Sequence, residues 1–427
     1  MAMSKHESAC DGYAEAMQKQ MTRRAALTAG IAGVAWWAAR KTALAQATFG
    51  ENGNVLVVVF LRGGADGLNI VAPYTEDAYY KLRPTLAIKK PGGGAGALRD
   101  LDGFFGLHPS LSALHPLFDE GELAFIHAVG SGDQSRSHFE AMATMERGAA
   151  NRRAPQSSGW LARHLATTPS RGSPMRAVAL SRTVPESLRG ATQAIAIRSL
   201  DEFQLAGNPD QRRDAADALA DLYQDGDDAF AGAGRDTLQV LKKLGSIDME
   251  SYSPENGAVY PESSLGNGLK QIAILVRKEV GLEIASLDAS DRGGWDTHIA
   301  QELLLAMQLQ DLGDSLAAFR KDLAGDMSRV TVVVQTEFGR RAAENSGYGT
   351  DHGRASIMIA LGGGVSGGRV ISDWPGLEED QLDGPGDLRV TTDYRDVLAE
   401  ALSKRLGNAR TDEVFPLSSI RPVGVFT

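Results

Sequence analysis

Sulfur chemistry is nearly closed to this chain. Its one cysteine, Cys10, lies in an N-terminal segment with the marks of a removable address. The mature chain therefore has neither a disulfide nor a thiolate metal site. Basic charge is also short, with 44 Lys and Arg against 54 Asp and Glu, a formal net charge of −10. That balance lacks the positive footprint by which a protein holds nucleic acid or anionic lipid, so local basic groups must do any anion binding. Long apolar runs are missing as well. The N-terminal apolar stretch, Ala25 to Ala39, falls short of the roughly 20 residues of a membrane-spanning helix, and no later stretch reaches that length.

What the N-terminus does contain is ordered as an export signal. Thr22-Arg23-Arg24 precedes the apolar stretch, Arg40 and Lys41 follow it, and Ala43-Leu44-Ala45 supplies a small-residue cleavage site. Paired arginines before a modest apolar core and a basic stretch after it point to the twin-arginine route. Residues 1–45 are thus expected to be a signal peptide, with the twin-arginine translocase as a transient partner. The expected location is the periplasm or the exterior. Cleavage removes six of the basic and three of the acidic residues, which makes the remainder more acidic still. Residues 46–427 are long enough for one large α/β domain. A chain exported already folded can take up a metal before it leaves.

Beyond the signal, continuous β-branched runs alternate with helical patterns. Asn54 to Leu61 (NVLVVVFL), Leu123 to Ala128, Val178 to Leu180, Glu283 to Leu287, Val330 to Val334, Ile357 to Leu361 and Arg369 to Ile371 read as strands buried on both faces. Leu111 to Phe118, Phe139 to Arg147, Gln211 to Tyr223, Leu265 to Val280, Ala300 to Leu323 and Tyr394 to Leu406 carry apolar spacings of three and four. The alternation predicts a mostly parallel sheet with helices on both sides. Residues 186–270, rich in Gly, Asp, Gln and Ser, read as a helical insertion or cap.

In such sheets ligands gather at the carboxyl ends of strands. Asp66, in the loop Arg62-Gly63-Gly64-Ala65-Asp66-Gly67, follows the first strand; Asp296 and His298 stand in Gly294-Trp295-Asp296-Thr297-His298; Glu337 ends the VTVVVQT run; Asp351 and His352 stand in Gly349-Thr350-Asp351-His352-Gly353. Carboxylate and imidazole together suit zinc, manganese or iron, with magnesium and calcium as harder alternatives. These six residues are the candidate ligands of a divalent metal, with Asp288 and Asp291 as rivals for the carboxylate. Each also has a plainer reading: Asp66 as a turn support, Asp296 as a helix cap, Glu337 as the partner of Arg340 or Arg341. In Ser135-Arg136-Ser137-His138-Phe139-Glu140, Ser135 or Ser137 is placed to act as a nucleophile at a helix start, and Arg136 to hold an anion. Ser137 and Glu140 equally satisfy a capping box. His108, His115, His127 and His164 read as core or surface histidines.

The segments FLRGGADGLN, SRSHFEA, GWDTH, EFGR and GTDHG resemble the recurrent signatures of the bacterial family called domain of unknown function 1501, over most of the mature chain. That family is grouped with the alkaline phosphatase superfamily. The resemblance implies an α/β/α sandwich, a metal-dependent phosphoester hydrolase with a serine nucleophile at 135 or 137, and one or two cations. It also implies a departure, because Phe338 stands where a second metal would take an imidazole. Two rivals are a sulfatase or phosphonate hydrolase, weakened by the lack of a C/S-x-P-x-R motif, and a non-catalytic exported metal-binding or assembly protein.

Overall fold

The computed structural model describes residues 53–427, except 171–172, 174, 193, 201–204, 206, 225–228, 246–251 and 291–293. The expected signal peptide lies outside the described residues. Nine strands form the main sheet: β1 (Val55–Phe60), β2 (Leu123–Gly130), β3 (Ala177–Leu180), β4 (Ala194–Ile197), β5 (Ile284–Asp288), β6 (Val330–Gln335), β7 (Ser356–Gly362), β8 (Arg369–Ile371) and β9 (Thr392–Asp393). Their spatial order is β8-β2-β7-β6-β1-β5-β3-β4, with β9 also paired to β2.

β1 lies at the middle because all six of its residues are apolar and buried. It pairs in parallel with β5 on one side (Val57 beside Ala285) and with β6 on the other (Val57 beside Val332). Its side chains alternate between the two faces. Val55, Val57 and Val59 share a core with Leu269 and Ile272 of the helix Ser264–Arg277 and with Leu305, Leu309 and Leu312 of the helix Gln301–Leu323. Leu56 and Val58 face Trp160 and Leu161 of the helix Trp160–Thr167, and Val397 and Leu398 of the helix Tyr394–Arg405. The result is the expected α/β/α sandwich around a mostly parallel sheet. Each fully buried aliphatic side chain contributes about 1.5–3 kcal/mol, so this central strand anchors both layers.

One strand runs backwards. β7 is antiparallel to both β2 and β6, while every other pairing in the sheet is parallel. The loops that follow β1, β2, β5 and β6 therefore emerge at the same edge as the loop that precedes β7. Segments 61–67, 131–138, 289–300, 336–341 and 349–355 share one end of the molecule.

These loops meet backbone to backbone, which explains their glycines. A Cβ on Gly63 (φ +129°) would stand 2.6 Å from the amide nitrogen of Asp296, and one on Gly349 would stand 2.3 Å from the carbonyl of His298. One on Gly339 would stand 1.8 Å from the carbonyl oxygen of Ala355.

Three expectations need correction. Residues 186–270 are not purely a helical cap: β4 lies within them and extends the sheet beside β3, together with the helices Pro209–Gln224 and Ala229–Gly245. Its Ala-Ile-Ala-Ile sequence is too short to separate from a helix segment by pattern. Leu111 to Phe118 is a 3₁₀ segment (Pro109–Leu114) followed by a short helix (His115–Asp119). Pro109 and Pro116 limit helical hydrogen bonding there. The Ser137–Glu140 capping box does not form. Ser137 is the N-cap of the helix His138–Glu146 but makes no side-chain capping bond, and Glu140 instead accepts from Ser135 Oγ at 2.6 Å and pairs with Arg152.

Gly339→Ala is expected to destabilise the chain by about 3 kcal/mol or more, because the backbone of Ala355, held in place just before β7, cannot retreat from the added methyl. Urea denaturation of the variant against the parent measures this as a fall in midpoint.

Candidate active site

Four loops deliver a compact set of imidazoles and carboxylates to the shared end of the sheet. His138, Asp296 and His352 each offer a ligand atom within 4.8 Å of the others. His352 Nε2 lies 3.0 Å from Asp296 Oδ1 and 2.9 Å from His298 Nε2; His298 Nε2 lies 3.1 Å from Asp296 Oδ1; His138 Nε2 lies 3.4 Å from Asp296 Oδ2.

The opposite ring nitrogens are all engaged. His138 Nδ1 lies 2.7 Å from Glu337 Oε1, His352 Nδ1 lies 2.8 Å from the backbone carbonyl of Arg136, and His298 Nδ1 lies 3.4 Å from Asp351 Oδ1. A carboxylate or carbonyl at Nδ1 fixes the tautomer and leaves the Nε2 lone pair facing the common point. His138 Nε2 is buried and has no hydrogen-bond partner. A buried, oriented nitrogen without a partner, beside a carboxylate, fits a divalent cation in donor type and in second-sphere support.

Electrostatics agree with this arrangement. Burial pushes Asp296 up, but the hydrogen bonds of Arg340 and His352 and the nearby positive charge outweigh it and hold the carboxyl at about 2. The hydrogen bond that His138 donates to the Glu337 carboxylate raises it above its ordinary value, while burial lowers His352. The Asn345 amide, followed by an opposing burial effect and the His298 contact, leaves Asp351 below its ordinary value.

Buried Arg340 holds the loops in place. Its Nε donates to Gly64 O (2.6 Å), Nη1 to Thr350 O (3.0 Å), and Nη2 to Trp295 O (3.1 Å) and to Asp296 Oδ1 (2.6 Å). Phe338 packs against two of the imidazoles, with ring centroids 4.8 Å from His138 and 4.9 Å from His352. It leaves no room for a side chain on Gly64, whose Cβ would stand 2.5 Å from the ring.

The candidate residues divide accordingly. Asp296, His298 and His352 come together. Glu337 and Asp351 stand one bond further back, each behind a histidine. Asp351 supports His298 rather than its sequence neighbour His352. Asp66 is apart: it is wholly buried, its two oxygens are held by Arg83 at 2.5 and 2.9 Å, and Gln301 donates to it at 2.6 Å. With its oxygens so engaged it is a structural carboxylate of the β1 loop, not a member of the cluster. Asp288 pairs with Arg62 at 2.7 Å, and Asp291 lies outside the described residues. Arg136 directs its guanidinium to buried Asp387, and only its backbone carbonyl serves the site. Ser135 Oγ is occupied by Glu140 and by the amide of Ser137. His108 caps a 3₁₀ turn, His115 pairs with Asp119, His127 meets Val71 O, and His164 meets Glu283. His138 was not among the residues singled out by sequence, although it follows the loop after β2 just as Asp296 follows β5. The strand-end rule that marked the others also covers it.

The protein is thus a three-layer α/β domain with an imidazole–carboxylate cluster of metal-binding donor type at the carboxyl edge of a mostly parallel sheet. The chain belongs to the family described as "Protein of unknown function (DUF1501)", whose model matches residues 54–404. Among solved structures, the crystal structure of the lipoteichoic acid synthase LtaP from Listeria monocytogenes is similar over 76% of this chain and 67% of that one. Its sequence identity is 10% and its TM-score 0.30. No curated protein matches the chain. Among the described residues no helix is long and apolar enough to cross a membrane.

In metal-free protein, NMR titration is expected to show His138 protonating above, and His352 below, an ordinary histidine, with the elevation of His138 lost in Glu337→Gln. A raised folded pKa means that His138 adds stability at low pH, which disappears as pH rises through that value. Asp296 acts oppositely, adding stability above the ordinary carboxyl range that is lost as pH falls toward about 2. Arg83→Met would strand Asp66 as a buried, unpaired carboxylate and cost about 3–5 kcal/mol. Chemical denaturation checks this, and adding Asp66→Asn should recover much of the loss.

Proposed function

We propose that the chain is an exported, metal-dependent hydrolase of phosphoesters with one cation per chain. The observation that carries this reading is the set of imidazoles held from behind at Nδ1, with Nε2 directed at the Asp296 carboxylate. His138, Asp296 and His352 would hold the cation. Two imidazoles and a carboxylate favour zinc, with manganese or iron next, over the all-oxygen preference of magnesium and calcium. Bound there, the cation supplies Lewis acidity toward a phosphoryl oxygen.

The remaining groups supply orientation and proton transfer. Ser137 is the proposed nucleophile, because Ser135 Oγ is already engaged and Ser137 caps its helix without a side-chain bond. It stands where helix amides favour a negative oxygen. His298 is the most exposed of the three imidazoles, with 41% of its side chain accessible, and Asp351 backs it. That pairing suits a general acid or base that exchanges protons with substrate. Arg340, fully buried, touches no substrate; it keeps Asp296 ionised and aimed.

A single cation follows from two features. Phe338 fills the space beside His138 and His352, and the Arg83 guanidinium neutralises Asp66. The same features favour the second reading, an exported metal-binding protein without catalysis. Export itself is proposed on the N-terminal arginines and cleavage site.

The test is elemental analysis of the purified protein together with a panel of aryl phosphate monoesters, diesters and aryl sulfates. The expected outcome is one metal per chain and phosphoesterase activity. That activity should fall at least about 10³-fold in Ser137→Ala and in His298→Ala, with metal retained in both. His352→Ala should lose the metal. Metal retained in a protein inert on every ester would support the binding reading; loss of metal in His298→Ala would make His298 a ligand.

A further inference from the structure

The donor cluster opens beneath an apolar rim. Among the described residues eight large apolar side chains are exposed, and three of them lie on the segments that carry or contact His298: Ile299 (66%), Leu303 (65%) and Tyr348 (65%). Ile299 directly follows His298, and a Cβ on Gly349, next to Tyr348, would stand 2.3 Å from the His298 carbonyl. Ala300 donates to Gly347 O at 3.3 Å and Gln301 to Tyr348 O at 2.9 Å, so the segments bearing Ile299 and Tyr348 run side by side. Ile299 Cγ2 lies 3.1 Å from where a Cβ of Gly347 would stand. Leu303 is in the first turn of the next helix. Scattered single apolar residues on a surface need no explanation, but three on adjoining segments beside one polar centre do.

We infer that this rim binds the apolar organic group of an anionic amphiphile whose charged head is held by the histidine–aspartate centre. The inference rests on the reading of that centre as a metal and phosphoryl site, and it names the substrate class: phosphoesters of alkyl or aryl alcohols rather than of sugars or other polar alcohols. Charge argues for single amphiphile molecules over a bilayer. A chain with a net charge of −10 is repelled by an anionic lipid surface, whereas the rim adjoins the one centre where an anionic head is neutralised. A cation below and apolar side chains around it complement a molecule that carries both features.

The test is calorimetric binding of a homologous series of monoalkyl phosphates, from ethyl to octyl, below their micellar concentrations, to the zinc-loaded full-length mature protein. Affinity is expected to tighten about twofold per added methylene, a partial share of the roughly fourfold that complete burial gives. In the triple variant Ile299→Ser, Leu303→Ser, Tyr348→Ser the series should flatten, with inorganic phosphate bound as in the parent. Equal affinity along the series, or an unchanged slope in the triple variant, overturns the inference. So does a concentration-dependent dimer, seen by light scattering, that the triple variant abolishes, since the rim would then be covered by a second copy. Chain-length-dependent binding without turnover would refute the hydrolase and leave the rim standing; turnover indifferent to chain length would do the reverse.

Discussion

The site depends on one buried guanidinium. Arg340 reaches the carbonyls of Gly64, Trp295 and Thr350 and the carboxylate of Asp296, and so ties together loops that leave three different strands. A buried cation demands this many acceptors, since an uncompensated charge in the interior is costly. The need works in both directions: the loops must present their oxygens inward to satisfy Arg340, and in doing so they bring Asp296, His298 and His352 to one place. A lysine there would satisfy far fewer of these acceptors, because it lacks the planar fork of donors.

Arg83, far from Arg340 in sequence, performs a parallel service. It neutralises Asp66, takes Asn69, and donates to the carbonyls of Arg341 and Ala342. The β1 loop is therefore fixed by protein cations on both sides. This is the physical reason that an aspartate with the sequence context of a metal ligand has no part in the cluster. Sequence shows that a carboxylate follows a strand; it does not show which cation reaches it first.

The fold was largely legible in the chain. The apolar runs that became β1, β2, β5, β6 and β7 are long, buried on both faces and bounded by turn residues, so their period and length decide the matter without tertiary information. The short strands β4 and β9 were not: β4 sits in a segment rich in Gly, Asp, Gln and Ser, and the two residues of β9 have no period to read, whereas β3 and β8, also short, were read as strands. For the site, the residue types and the loops that carry them were visible, and Asp296, His298 and His352 do meet. The pairing of carboxylates with histidines was not visible, since Asp351 supports His298 from across a loop contact while its sequence neighbour His352 is held by the carbonyl of Arg136. Local adjacency is a poor guide where backbones cross, as the close approaches at Gly63, Gly339 and Gly349 show they do here.

The position of β1 also sets the pace at which the molecule can assemble. Its first residue, Val55, lies beside Val330, and its neighbour Leu56 beside Ile284, so the central strand waits for partners more than two hundred positions downstream. Pairings of such sequence separation are slow to form, because a long loop must close before any contact rewards it. Until then an uninterrupted row of apolar side chains is without its neighbours, and it invites the wrong ones. A ribosome still extending this polypeptide carries an unfinished sheet, and a holding chaperone would find its natural target in the segment from Val55 to Phe60.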